Sequence, residues 1–311
     1  MSQLLIPRYP GGKRKLLSQI YDGGRYDSIV EPFIGGGAAT LRLLPIVGNA
    51  YLSDADPTVW SIWHCWNHPE LHLAVYENLK TLKNEAIADI ASAWISLKAE
   101  FEAANTSNPA RLAAVSLTIR KLTFGGVVRE GANGHLNVKW VQCQVDTLPR
   151  WRYRFPPFPP NAHISLSQSW EAALDAFEKS SSEAAIALID PPYWVPYTPG
   201  TKRKGRGGMT PAYIGHKPHD EATLAMCVNC VQRLAVNPCV KRVVVANYLS
   251  ARLDAALFDI AAAANLPIVR TVLGRLDGLN MSRAVSTENL DTLWTIGQSH
   301  QSQLALNLEA V

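Results

Sequence analysis

One stretch constrains this chain more than any other: an unbroken apolar run from Ala184 to Ile189 closes on Asp190-Pro191-Pro192-Tyr193-Trp194. A short continuous apolar run bounded by turn chemistry predicts a strand buried on both faces, as in a parallel sheet. Two prolines cannot continue a ladder, so the strand stops and the chain turns at its carboxyl end. In open α/β sheets that edge is where ligands bind. The turn offers a carboxylate, a proline carbonyl and an aromatic face. Asp190 and the Pro191 carbonyl suit the two hydrogens of an exocyclic amine, and Tyr193 suits stacking on the ring that bears it. A plain strand-ending turn is the simpler alternative, since Pro and Asp are ordinary turn residues.

A second unit points to the same architecture. Ser28-Ile29-Val30 is β-prone and runs into Glu31-Pro32-Phe33-Ile34-Gly35-Gly36-Gly37, after which Ala38 to Leu44 predicts a helix. Strand, glycine loop and helix form a nucleotide-type unit, in which missing Cβ atoms let a ligand approach the backbone. The next strand, Ala50 to Asp54, ends on an acid 19 residues after Gly35, where a carboxylate holds a ribose hydroxyl pair. A dinucleotide site wants G-x-G-x-x-G, whereas Thr40 fills the third glycine position here. A ligand with an adenosine but no phosphates fits better, and S-adenosylmethionine is the obvious one. Upstream, Tyr9-Pro10-Gly11-Gly12-Lys13 is a glycine turn leading into a short helix, a weak signal by itself.

From Trp60 to Leu148 the apolar spacing turns helical, through Leu79, Leu82, Ile90, Trp94, Leu97, Leu112, Val115 and Ile119, which predicts a helical insertion. Tryptophans 60, 63, 66 and 94 read as helix core. The insertion ends in Phe124 to Val138, where apolar residues alternate with turn chemistry as in a β-hairpin, with Arg129 near its tip. Arginine reads guanine bidentately, so a basic hairpin suits a DNA groove. After the stiff Phe155-Pro156-Pro157-Phe158-Pro159-Pro160 link, strand and helix alternate again: strands at 163–166 and 241–248, helices at 170–177 and 221–234, and a closing hairpin from 271–276 and 289–296.

The net charge is +4, unevenly spread. Arg111 to Arg154 holds eight Lys/Arg against two acids, and Tyr193 to His219 five bases and no acid. Local basic stretches in a near-neutral chain suggest one polyanion-facing surface, with solvated faces as the even alternative. Lys202-Arg203-Lys204-Gly205-Arg206-Gly207-Gly208 is too charged and glycine-rich to order alone. Five cysteines, an odd number, argue for reduced thiols. Cys227 and Cys230 have zinc-ligand spacing but no second pair, and read as one side of a core helix. No run of 18 apolar residues exists and the N-terminus lacks a signal peptide's apolar core, so a soluble, cytoplasmic protein without membrane contact is expected.

Taken together, these motifs resemble the Dam-like family of DNA adenine methyltransferases in the alpha-group order, over about residues 5–297. The resemblance rests on Tyr-Pro-Gly-Gly-Lys (9–13), Glu-Pro-Phe-Ile-Gly-Gly-Gly (31–37), Leu-Ser-Asp (52–54), Asp-Pro-Pro-Tyr (190–193) and the stretch 124–138. It implies an α/β, Rossmann-like methyltransferase sheet, interrupted by a mostly helical target-recognition insertion that carries a β-hairpin. The implied parts are a catalytic first part (1–57), the insertion (58–155), a catalytic second part (156–300) and a tail (301–311). It implies catalysis at Asp190, Pro191, Pro192 and Tyr193, and S-adenosylmethionine held by Tyr9, Lys13, Glu31, Phe33, Gly35, Gly37, Asp54 and Asp190. Double-stranded DNA would meet Arg129, Asn133, Lys139, Lys202, Arg203 and Lys204, and no metal is required. The family often has an aromatic-Asn pair where Phe124-Gly125 stands, which bears on the target sequence and not on the chemistry. Met281-Ser282-Arg283 matches the last motif only loosely. A cytosine-amine or RNA methyltransferase, or an inactive DNA-binding relative, stays open at this point, as do the oligomeric state (a monomer is compatible) and the choice between a restriction-modification and a phage-type methylase.

Overall fold

The computed structural model describes residues 13–128, 135–192, 221–274 and 291–297. The chain enters through the short helix α1 (Leu17–Ile20), then β1 (Ser28–Glu31), α2 (Ala38–Val47) and β2 (Asn49–Ser53). Helices α3 (Pro57–Asn67), α4 (His72–Ala88), α5 (Ile90–Ala103), α6 (Pro109–Leu122) and α7 (Gln142–Val145) follow before the sheet resumes. It continues as β3 (His163–Ser167), α8 (Trp170–Glu178), β4 (Ala185–Ile189), α9 (Glu221–Ala235), β5 (Val240–Tyr248), α10 (Ala251–Ala263), β6 (Ile268–Gly274) and β7 (Asp291–Gly297).

These strands make one seven-stranded sheet in the order β3-β2-β1-β4-β5-β7-β6. The first five are parallel, and the two strands buried at every residue, β1 and β4, pair at its centre. The expected closing hairpin forms, but β7 inserts antiparallel between β5 and β6. One cluster of buried side chains covers one face and extends without a break into the insertion, from Ile29 and Leu52 to Trp66, Leu97 and Ile119. The other cluster lies between the sheet and α8, α9 and α10, and Cys227 and Cys230 sit fully inside it. Those thiols fill apolar core, as a C-x-x-C on one helical face does when it points at a sheet.

The insertion starts sharply. Asp56 caps α3 by accepting the Thr58 N–H at 2.8 Å, with Pro57 at the first helical position. Asp89 and Asn108 cap α5 and α6 in the same way. Trp63, Trp66 and Trp94 are buried, as their spacing predicts, while Trp60 is half-buried and stacks on His64. The proline-rich link is strapped down: the Trp66 indole donates to the Pro156 carbonyl at 2.8 Å, and the Phe155 N–H donates to the Tyr76 hydroxyl at 3.1 Å.

Two sequence expectations change here. Phe124–Gly126 is a 3₁₀ turn and not the start of a strand, because Gly125 and Gly126 both take positive φ (64° and 76°). Of the expected hairpin, Leu136 makes an isolated bridge and the tip, 129–134, lies outside the described residues. Helix α10 was not anticipated, although its apolar residues Leu253, Leu257 and Ala261 recur every four residues behind a Ser250 cap.

Candidate active site

Because β1 to β4 run parallel, their carboxyl ends share one edge, and from the adjacent strands β1 and β4 the chain leaves that edge in opposite directions, from β1 toward β2 and from β4 toward β5. That divergence is the place where open sheets bind ligands. Glu31 ends β1, while Asp54, Gln168 and Asp190 directly follow β2, β3 and β4. A cleft of about 320 Å³ opens over these four ends.

Its floor is the glycine loop, which is tied down on both sides. The Ser53 hydroxyl donates to the Pro32 carbonyl (2.6 Å), and the Ile34 N–H donates to the Ser53 carbonyl (2.9 Å). Gly37 stands at the cap of α2 with φ 58°. The ring of Trp63, on α3, packs under it, and a Cβ at Gly37 would fall 2.2 Å from that ring. The same indole donates to the Gly35 carbonyl at 2.8 Å. Glu31 turns back to accept the Thr40 N–H in the first turn of α2 (3.1 Å) and the Thr40 hydroxyl. A dinucleotide fold keeps those helix amides for a phosphate. Here a carboxylate of the chain itself takes one, and burial pushes that carboxyl up to about 8.

The walls are acidic. Glu31, Asp54, Asp56, Glu171 and Asp190 line the cleft against a single lysine, Lys13, among the described residues. Asp54 accepts the Gly35 N–H (2.8 Å) through one oxygen and the Asp56 N–H (3.0 Å) through the other. Burial, then the neighbouring Asp56 charge, push the Asp54 carboxyl up to about 7. Asp190 forms an ion pair with Lys13 at 2.6 Å. Burial raises its pKa, and the Lys13 charge and hydrogen bond oppose the rise. A lining of this sign suits a cationic ligand better than a phosphate, and the described residues fit a sulfonium-bearing adenosine.

Of the residues expected at the site, Lys13, Glu31, Phe33, Gly35, Gly37, Asp54, Asp190 and Pro192 line this one cleft, and Pro191 is buried beside it. Tyr9 and Tyr193 lie outside the described residues, as do Arg129, Asn133, Lys202, Arg203 and Lys204. Lys139 is exposed on the insertion. Sequence reasoning missed Gln168 to Glu171 and Met226, which complete the lining. The first group became findable once β3 was placed parallel beside β2, since the residues after it must then reach the same edge. It also missed Trp63 as the support of the glycine loop, and Phe124, which presents 75% of its surface to solvent where the insertion's last long helix ends.

A family model described as D12 class N6 adenine-specific DNA methyltransferase matches residues 9–199, which include the glycine loop, the insertion and Asp190 to Tyr193. The chain belongs to this family. No curated protein matches it. It is accordingly a transferase that methylates the exocyclic amine of adenine in DNA, and the cytosine, RNA and inactive alternatives give way to that reaction. Among the described residues of this methyltransferase, no helix is long and apolar enough to cross a membrane, and no group of three or more His, Cys, Asp or Glu stands ready for a metal ion.

Proposed function

We propose that S-adenosylmethionine lies in the cleft with its ribose at Asp54 and that the target adenine enters beside it at Asp190 to Tyr193. One observation carries this reading: the carboxylates that end β2 and β4 open into the same acidic cleft over the glycine loop. The bound cofactor supplies an electrophilic methyl on a sulfonium. The chain's task is to ready the amine, whose lone pair is delocalised into the purine ring. Asp190 and the Pro191 carbonyl accept its two hydrogens, localise that lone pair and stabilise the positive charge that develops on nitrogen. Tyr193 stacks on the base, which must leave the duplex to reach this depth. The glycine loop fixes the distance between the two ligands, and such positioning supplies much of the acceleration.

The insertion 58–155 is the arm that meets DNA, and the exposed bases of its basic stretch, Lys139, Arg150, Arg152 and Arg154, face the phosphates. Exposed Phe124 is placed to wedge against bases at the end of that arm. Arg129 holds a guanine edge, so Arg129→Ala costs about 1–3 kcal/mol on the true site and relaxes discrimination at one base pair. Methylation rates on duplexes varied one pair at a time check this; an equal fall on every duplex makes Arg129 a phosphate contact.

The cofactor assignment has its own test. Asp54→Ala weakens S-adenosylmethionine binding by about 1–3 kcal/mol, the cost of leaving charged hydrogen bonds unmade. Unchanged affinity by calorimetry removes Asp54 from the site. Because the Asp54 carboxyl titrates near 7 and must be ionised to accept ribose hydroxyls, wild-type affinity falls as pH drops through neutrality and levels off above it.

A further inference from the structure

The cofactor cleft is wired to the arm that carries the DNA-facing segment. Arg120 lies on α6, three residues before the turn at Thr123-Phe124, yet only 4% of it is exposed. Its guanidinium reaches across to Asp56, Nη2 to Oδ2 at 3.6 Å, and its Nε donates to Ser116 Oγ on its own helix at 3.3 Å. Asp56 lines the cleft, caps α3, and donates its N–H to Asp54, whose other oxygen holds the Gly35 amide. An unbroken polar chain thus runs from the glycine loop through both acids to α6.

We propose that Arg120 is a positioning residue for cofactor binding: from the recognition arm it holds the Asp54–Asp56 pair in the geometry and charge state that accept the cofactor's ribose. This rests on the assignment of the ribose to Asp54. Two carboxylates on either side of Ala55 in a half-buried loop repel each other, and a cation beside them relieves that repulsion. Asp54 faces Asp56 from its own loop and Arg120 from α6, and the remaining charged groups of the cleft are Glu31, Lys13, Asp190 and Glu171. Among the described residues Arg120 is therefore the cation on the ribose side, while Lys13 pairs with Asp190 at the other end. Its charge pulls the Asp54 carboxyl down against burial and Asp56. The shape of the group matters as well, since a guanidinium can face Asp56 with one nitrogen while bonding Ser116 with another.

The test is the affinity for S-adenosylhomocysteine, measured by calorimetry from pH 6 to pH 9 on the full chain. In Arg120→Gln the pH at which affinity is lost moves up, a rise of about one unit reading as a complex about fivefold weaker at neutral pH and about tenfold weaker well below it, and the curves of variant and wild type converge at alkaline pH. Arg120→Lys recovers most of the shift. Arg120→Gln combined with Asp56→Asn, which keeps a capping side chain, brings the curve back toward wild type, because the repulsion is gone along with the cation. A loss equal at every pH means that Arg120 only supports the fold, and an unshifted curve means that it does not act on the pair; either overturns the proposal. If Asp54→Ala binds as tightly as wild type, it is the ribose assignment that fails, and the Arg120 curves are then read without it.

Discussion

Asp190→Asn lowers methyl transfer about a hundred- to a thousandfold, the usual cost of removing one preorganised electrostatic partner from a reacting centre. DNA and cofactor still bind the variant, because the carboxylate acts mainly on charge that exists only in the transition state. Single-turnover transfer from labelled cofactor reads the first quantity, and fluorescence anisotropy with a duplex reads the second. A parallel loss of binding and rate would make Asp190 a ground-state contact. The ion pair with Lys13 adds a pH signature. In the role proposed for it Asp190 is the ionised acceptor, and burial has already raised its pKa, so activity should be lost as pH falls through that pKa. Lys13→Met removes the charge that opposes the rise, and the acid limb of the rate profile moves to higher pH. A limb that stays in place would mean that another group sets it.

The same pair shows how the resting site is kept. A carboxylate at the end of a buried strand would otherwise be costly to leave ionised and unpaired. Lys13, itself 6% exposed, neutralises it at 2.6 Å. The amine of an incoming adenine offers its hydrogens to the same carboxylate, so the lysine and the base meet at one acceptor.

How much of this was legible beforehand follows from the physics of each element. The parallel core was readable because β4 is buried on every residue and leaves a continuous apolar run, while β1 is marked by a short β-prone stretch that runs into the glycine turn. The cleft was readable in outline because glycines, prolines and strand-terminal acids mark chain reversals, and parallel strands put all their carboxyl ends on one edge. What stayed hidden depends on distant packing. Nothing local marks Trp63 as the support of Gly35 and Gly37, since its helical spacing equally describes any core tryptophan. Arg120 looked like part of a basic surface stretch, and only the fold of α6 against α3 turns it inward to Asp56. Apolar alternation makes Phe124 look like the opening of a strand because it carries no information on φ. The positive φ at two successive glycines makes a turn there and leaves the ring in solvent.

Trp63 gives the second large effect. Gly37→Ala destabilises the fold by about 2–5 kcal/mol, combining about 1–2 for a Cβ in left-handed backbone with about 1–3 for overpacking. The ring cannot retreat: it is 3% exposed, its indole nitrogen is bonded to the Gly35 carbonyl, and Trp66 packs edge-on at 5.3 Å. Gly48 supplies the control within the same βαβ unit. It has a more positive φ, 84°, but nothing within 4 Å of where its Cβ would sit. Gly48→Ala therefore costs only the backbone share, about 1–2 kcal/mol. Chemical denaturation of both variants separates collision from strain, and equal costs would remove Trp63 from the explanation. Trp63→Leu removes the ring atoms that the new Cβ would strike, at the expense of a void. The double variant with Gly37→Ala should then be more stable than the sum of the single losses, by about 1–3 kcal/mol as expected for side chains in direct contact. Cofactor affinity should follow the same order, because the loop that Trp63 supports is the floor of the cleft.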